Sequence, residues 1–107
     1  MENTSNFKRK YIRVSKKSGG YHIEYNFTIP SKNGFIFGNY LPKNKTSLLN
    51  EIKKATKEAK NLGIKSIYLR NGKKTKEETL SLLEEGLINE IVQEIKKINE
   101  NLIVKKQ

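Results

Sequence analysis

Arg9, Tyr11 and Arg13 occupy every second position near the start of the chain, and His22, Asn26 and Thr28 follow with their own two-residue parity. Side chains two apart on a β-strand share a face, so these residues would stand together on one side of a sheet. Arginine and asparagine pair with base edges, lysine and threonine hold phosphates, and tyrosine and histidine stack on unpaired bases. Lys8, Lys10, Lys16, Lys17 and Lys32 lie beside them in sequence and complete a candidate nucleic-acid-binding set. His22 and Glu24 also share a face, which would set an acid and a base over a phosphodiester. No second carboxylate or nucleophile cluster accompanies them, so no catalytic residue is assigned and the chain is read as a binding protein, not an enzyme. It contains no cysteine and a single histidine, too few nitrogen and sulfur ligands for a metal site. No phosphate-cradling glycine loop occurs, and no cofactor is expected.

A solvated strand face would show the same alternation, and charge separates the two readings. The chain has 22 Lys+Arg against 11 Asp+Glu over 107 residues, a formal net charge of +11. Residues 1–60 hold 13 basic and 4 acidic residues, a net +9, whereas residues 61–107 hold 9 and 7, a net +2. A surplus this concentrated makes a surface attractive to polyanions. The N-terminal half is therefore the expected binding half, with nucleic acid as partner and DNA ahead of RNA. No apolar run approaches the length that spans a bilayer, and Met1 to Asn6 is polar before the basic Lys8-Arg9-Lys10. The expectation is a cytoplasmic protein with no membrane partner.

The elements that must position these residues read as an α+β fold in a single domain over 1–107. Residues 1–7 are expected to be a flexible N-terminus, 8–62 a basic sheet plus helix, 63–104 a strand and helical part, and 105–107 a basic tail. Ile12 and Val14 alternate with Tyr11, Arg13 and Ser15, which predicts a half-buried first strand over 10–16. After the turn Ser18-Gly19-Gly20, Tyr21, Ile23, Tyr25, Phe27 and Ile29 alternate with polar residues until Pro30. The Asn33-Gly34 turn then leads into a third strand, Phe35 to Leu41, completing an antiparallel three-stranded meander. Thr46 or Ser47 is expected to cap a helix whose apolar positions (Leu48, Ile52, Ala55, Ala59) fall three or four apart, and Gly63 to stop it. This amphipathic helix would back the Phe-, Tyr- and Ile-rich inner side of the meander. Ile64 to Arg70 reads as a short fourth strand. Thr75-Lys76-Glu77-Glu78 reads as a capping box opening a Leu/Ile stripe that runs to Leu102. As one helix this would be about 40 Å long, so Gly86 is expected to divide it into helices near 76–85 and 87–102. The stripe is read as core, with a homodimer through the C-terminal helices as the alternative.

The basic first strand Lys10-Tyr11-Ile12-Arg13-Val14, the glycine turn, the aromatic second strand Tyr21-His22-Ile23-Glu24-Tyr25, and Gly38-Asn39-Tyr40 leading toward the helix at Ser47 carry a resemblance. Residues 8–60 resemble the three-stranded-sheet DNA-binding domain at the N-termini of phage and transposon integrases, of the ethylene-response type. That resemblance implies that the outer sheet face, with Arg9, Tyr11, Arg13, His22, Asn26 and Thr28, lies in the major groove. It gives the expectation of duplex DNA binding by an accessory or regulatory protein of a phage or mobile element. The order strand, strand, strand, helix, strand, helix, with Ala59 to Leu69 as its helix-to-strand step, is also similar to the opening of the ribonuclease H-like fold. Because the acidic catalytic set is missing from the first strand, this second resemblance implies a non-catalytic, RNA-binding or ribosome-associated version. A protein-interaction module, such as a phage-type inhibitor of a nucleic-acid-handling enzyme, is the alternative of a different class.

Overall fold

In the computed structural model, residues 10–29, 34–72 and 82–106 are described. The elements are β1 (Lys10–Lys17), β2 (Gly20–Ile29), β3 (Gly34–Tyr40), α1 (Lys45–Asn61), β4 (Ser66–Asn71), α2 (Glu85–Ile98) and β5 (Ile103–Lys106). Lys8, Arg9, Lys32, the Asn33 side of the second turn and the capping box at 75–78 lie outside the described residues.

The expected meander is present: β1 pairs antiparallel with β2, and β2 with β3. It forms one side of a larger mixed sheet of order β3-β2-β1-β4-β5, in which β4 runs parallel to β1 and β5 parallel to β4. The fifth strand corrects the expectation of a basic tail at 105–107 and of a helix continuing to 102. After α2 the chain turns, Asn99 N–H bonding to Ile95 O at 2.9 Å and Leu102 N–H to Asn99 O at 3.1 Å. Leu102 is fully buried, and Ile103 N–H then bonds to Lys65 O at 2.9 Å, opening the last ladder. Parallel strands need a crossover connection, usually helical, and α2 lies within the one between β4 and β5.

Both helices cover the same side of the sheet. Ile12 and Val14 of β1, Ile23, Tyr25 and Phe27 of β2, and Ile67 and Leu69 of β4 form one buried cluster with Leu48, Ile52, Ala55 and Ala59 of α1 and Ile88, Ile91 and Ile95 of α2. Ile91 and Ile95 are 0% exposed, so these positions of the C-terminal stripe are core.

The ends of α1 are set locally. Its N-cap is Asn44, ahead of the expected Thr46 or Ser47 by two or three residues, and its Oδ1 accepts from Ser47 N–H at 2.8 Å. At the other end Gly63 has φ of 73°, and Gly63 N–H to Lys60 O and Ile64 N–H to Ala59 O, both 3.0 Å, close a Schellman turn. Gly86 falls in the first turn of α2 and does not divide two helices there. The helices are joined along their length by Lys45 to Glu90 at 3.1 Å, Lys53 to Glu94 at 3.8 Å and Lys60 Nζ to Ile98 O at 3.1 Å.

Candidate nucleic-acid interface

The pleat that sends Ile12 and Val14 under the helices sends Tyr11, Arg13, Ser15 and Lys17 to the opposite face. Strand pairing extends this face across the sheet. One row runs Phe37, Asn26, Tyr11, Tyr68, Lys105 over all five strands, and the next runs Asn39, Glu24, Arg13, Arg70 over four. Phe35 stands opposite Thr28 beyond the first row. Among the described residues no helix lies on this side.

Its charge is one-sided. On this face stand Arg13, Lys17, Arg70 and Lys105 against the single acid Glu24, whereas Lys10, Lys16 and Lys106 have the parity of the helix-covered side. The other described acids all lie on or beside the helices, where Glu51, Glu85, Glu90 and Glu94 are taken up in ion pairs with lysines.

At the centre of the face the groups are locked together. Arg13 lies 3.5 Å from Glu24 Oε2, with the two side chains 22% and 13% exposed. The Tyr11 hydroxyl donates to the same oxygen at 3.3 Å. The Tyr11 ring is flanked by the Arg70 guanidinium at 4.7 Å and that of Arg13 at 5.3 Å. Burial, and secondarily the Glu24 charge, raise the Tyr11 pKa above that of a free phenol. Lys105 sits over the Tyr68 ring at 5.6 Å. Arg13 Nε is buried with no hydrogen-bond partner among the described residues.

Of the residues expected to bind, Tyr11, Arg13, Asn26 and Thr28 share the side away from the helices and are half-buried, Ser15 on the same side is buried, and Lys17 is exposed at its end. Lys10 and Lys16 pair with Phe27 and Tyr21, the parity of the helix-covered side, so they stand at its margins and not among the face residues. His22 corrects the stacking expectation: it is 7% exposed, and its Nε2 bonds Asn39 Oδ1 at 2.7 Å. Nor do His22 and Glu24 act together, since each is engaged elsewhere.

Sequence reading missed Phe35, Phe37, Tyr68, Arg70 and Lys105. Phe35 and Phe37 are 66% and 52% exposed. The inner positions of β3 are Ile36 and Gly38, and Gly38 is required there because a Cβ would enter the Tyr25 ring. The alternation Ser66, Tyr68, Arg70 against Ile67, Leu69 was legible. Its assignment to this face needed the parallel pairing with β1.

Among the described residues no group of three or more His, Cys, Asp or Glu could hold a metal, and no helix is long and apolar enough to cross a membrane. No protein-family model, curated protein or solved structure matches this chain.

Proposed function

We propose that this protein binds nucleic acid through the open face of its five-stranded sheet and works by binding, not by catalysis. The observation that carries the reading is the charge of that face: Arg13, Lys17, Arg70 and Lys105 against one carboxylate, which is already committed to Arg13 and Tyr11. A cationic sheet face is an electrostatic footprint for a phosphate backbone. The separate engagement of His22 and Glu24 supports binding over chemistry.

Width bears on how a nucleic acid is met. A two- or three-stranded ribbon enters a major groove about 12 Å across. Five strands span roughly 19 Å at about 4.8 Å per step, so this face is suited to lying against a nucleic acid as a platform. That moves the proposal away from a ribbon set into duplex DNA.

Fluorescence anisotropy with labelled oligonucleotides at two or more salt concentrations tests the reading. Engagement of about five phosphates gives a log–log slope near −3.5 to −4.5. Absence of binding at low salt to duplex DNA, single-stranded DNA and structured RNA alike would remove it.

A further inference from the structure

The open face is not uniform. Its aromatic side chains fall into two groups, distinguished by what already covers them. Tyr11 has guanidinium groups at 4.7 and 5.3 Å from its ring centre, and Tyr68 has the Lys105 ammonium at 5.6 Å. Phe35 and Phe37, on the outermost strand, are 66% and 52% exposed. Phenylalanine offers a ring and nothing else to its surroundings, so two such rings in water on a +11 chain call for a partner that is aromatic or apolar in one part and anionic in another.

We infer that Phe35 and Phe37 stack on the bases of a single-stranded nucleic acid whose phosphates are held by the cations of the same face. This rests on the nucleic-acid reading above and narrows it to unpaired strands. Three observations carry it. The rings are two residues apart on one strand, about 6.8 Å, twice the ~3.4 Å per nucleotide of a stacked strand. That separation leaves room for one base between the two rings. Phe37 is aligned with Asn26 on β2, which puts an amide that can read a base edge next to the ring. Finally, β3 carries no charge of either sign, whereas Lys17, Arg13 and Lys105 lie toward the middle and far side of the sheet. Bases over the neutral edge and phosphates over the cationic centre is the complementary placement. A duplex keeps its bases inside and cannot reach both at once.

The test uses the full chain, labelled 12-nucleotide single-stranded DNA and RNA of mixed sequence, and the matching duplexes, each at two salt concentrations. The wild type is expected to bind single strands at least about tenfold more tightly than duplex. The double variant F35A/F37A should lose roughly tenfold or more of that affinity with an unchanged salt slope and an unchanged melting temperature, because exposed rings contribute little to folding. Because the chain has no tryptophan, Phe37→Trp gives a single reporter whose emission is quenched on saturation with a single strand, and this arm stands even if the double variant folds poorly. Either sugar satisfies the inference, and the tighter of the two identifies the source of the strand. Duplex binding equal to single-strand binding, with F35A/F37A neutral and the tryptophan unquenched, overturns the stacking claim and leaves the basic-face reading intact. No nucleic-acid binding by the folded wild type overturns both. A dimer of the wild type in light scattering that F35A/F37A converts to monomer assigns the rings to self-association and likewise overturns the inference.

Discussion

Neighbouring residues of β1 live in opposite worlds: Ile12 and Val14 are fully buried beneath two helices, while Tyr11 and Arg13, alternating with them, stand on a face that no described helix covers. The covered side is held by aliphatic packing. The other side is held by an ion pair, a phenol hydrogen bond and cations over rings, and it carries Arg13, Lys17, Arg70 and Lys105 against one acid. A protein with only stability to secure has little reason to gather like charges on one face, where self-repulsion opposes folding. The difference between the faces therefore separates what holds the fold from what meets a partner, and substitutions on the two sides should fail in different assays.

The largest effect belongs to the covered side. Ile52→Ala should cost roughly 2–5 kcal/mol through lost burial and the cavity left behind, lowering the melting temperature by well over 10 °C in a chain this size. Nucleic-acid affinity of the fraction still folded should be unchanged. The mirror-image experiment is the pair Lys17→Ala and Lys105→Ala. Circular dichroism should detect a change of about 0.5 kcal/mol or less per site, while the log–log salt slope of binding should shrink by roughly 0.7–0.9 for each phosphate contact removed. Equal loss of stability from both sets would erase the distinction.

Glu24→Gln sharpens the comparison from within the open face. It frees Arg13 from its only acidic neighbour on the sheet, so binding should tighten several-fold and grow more salt-dependent, with a modest loss of thermal stability. A loss of affinity would mean that Glu24 holds Arg13 in its binding geometry and does not merely neutralise it. Away from both faces, Asn44→Ala should cost about 1 kcal/mol by uncapping α1 and leave binding unmoved. The smallest effect is a titration. Burial, and then Tyr40, push the Tyr25 pKa up to about 12 from the ordinary 10.0, so its phenol should ionise late in an ultraviolet titration. The stability tied to keeping it protonated is complete below pH 10 and is lost as the pH rises toward 12.

The meander, α1 and the helix-facing parity of β1 and β2 were legible because their alternation is long: five apolar residues in step along β2, and a helical stripe ended by Gly63. What escaped was set by tertiary context. β5 has four residues, two of them lysine, and its ladder exists only because Leu102 docks and Ile103 reaches Lys65. The inward and outward sides of β3 could not be told from Phe35-Ile36-Phe37 alone, since all three are apolar. Only the fit of Tyr25 over Gly38 fixes which side is which. His22 kept the face that its parity predicts but lost its exposure to Asn39, a partner 17 residues away. Tyr68, Arg70 and Lys105 became part of the face only when β4 and β5 joined the sheet beside β1.

The most direct measurement is side-chain NMR during titration with whichever oligonucleotide binds at low salt. The account predicts that ring and side-chain signals of Phe37, Tyr11, Arg13 and Lys105 shift together, while the methyl groups of Leu49 and Val92 on the helix side stay in place. Shifts concentrated along the α1 lysines Lys53 and Lys57, with the open-face rings unmoved, would contradict it.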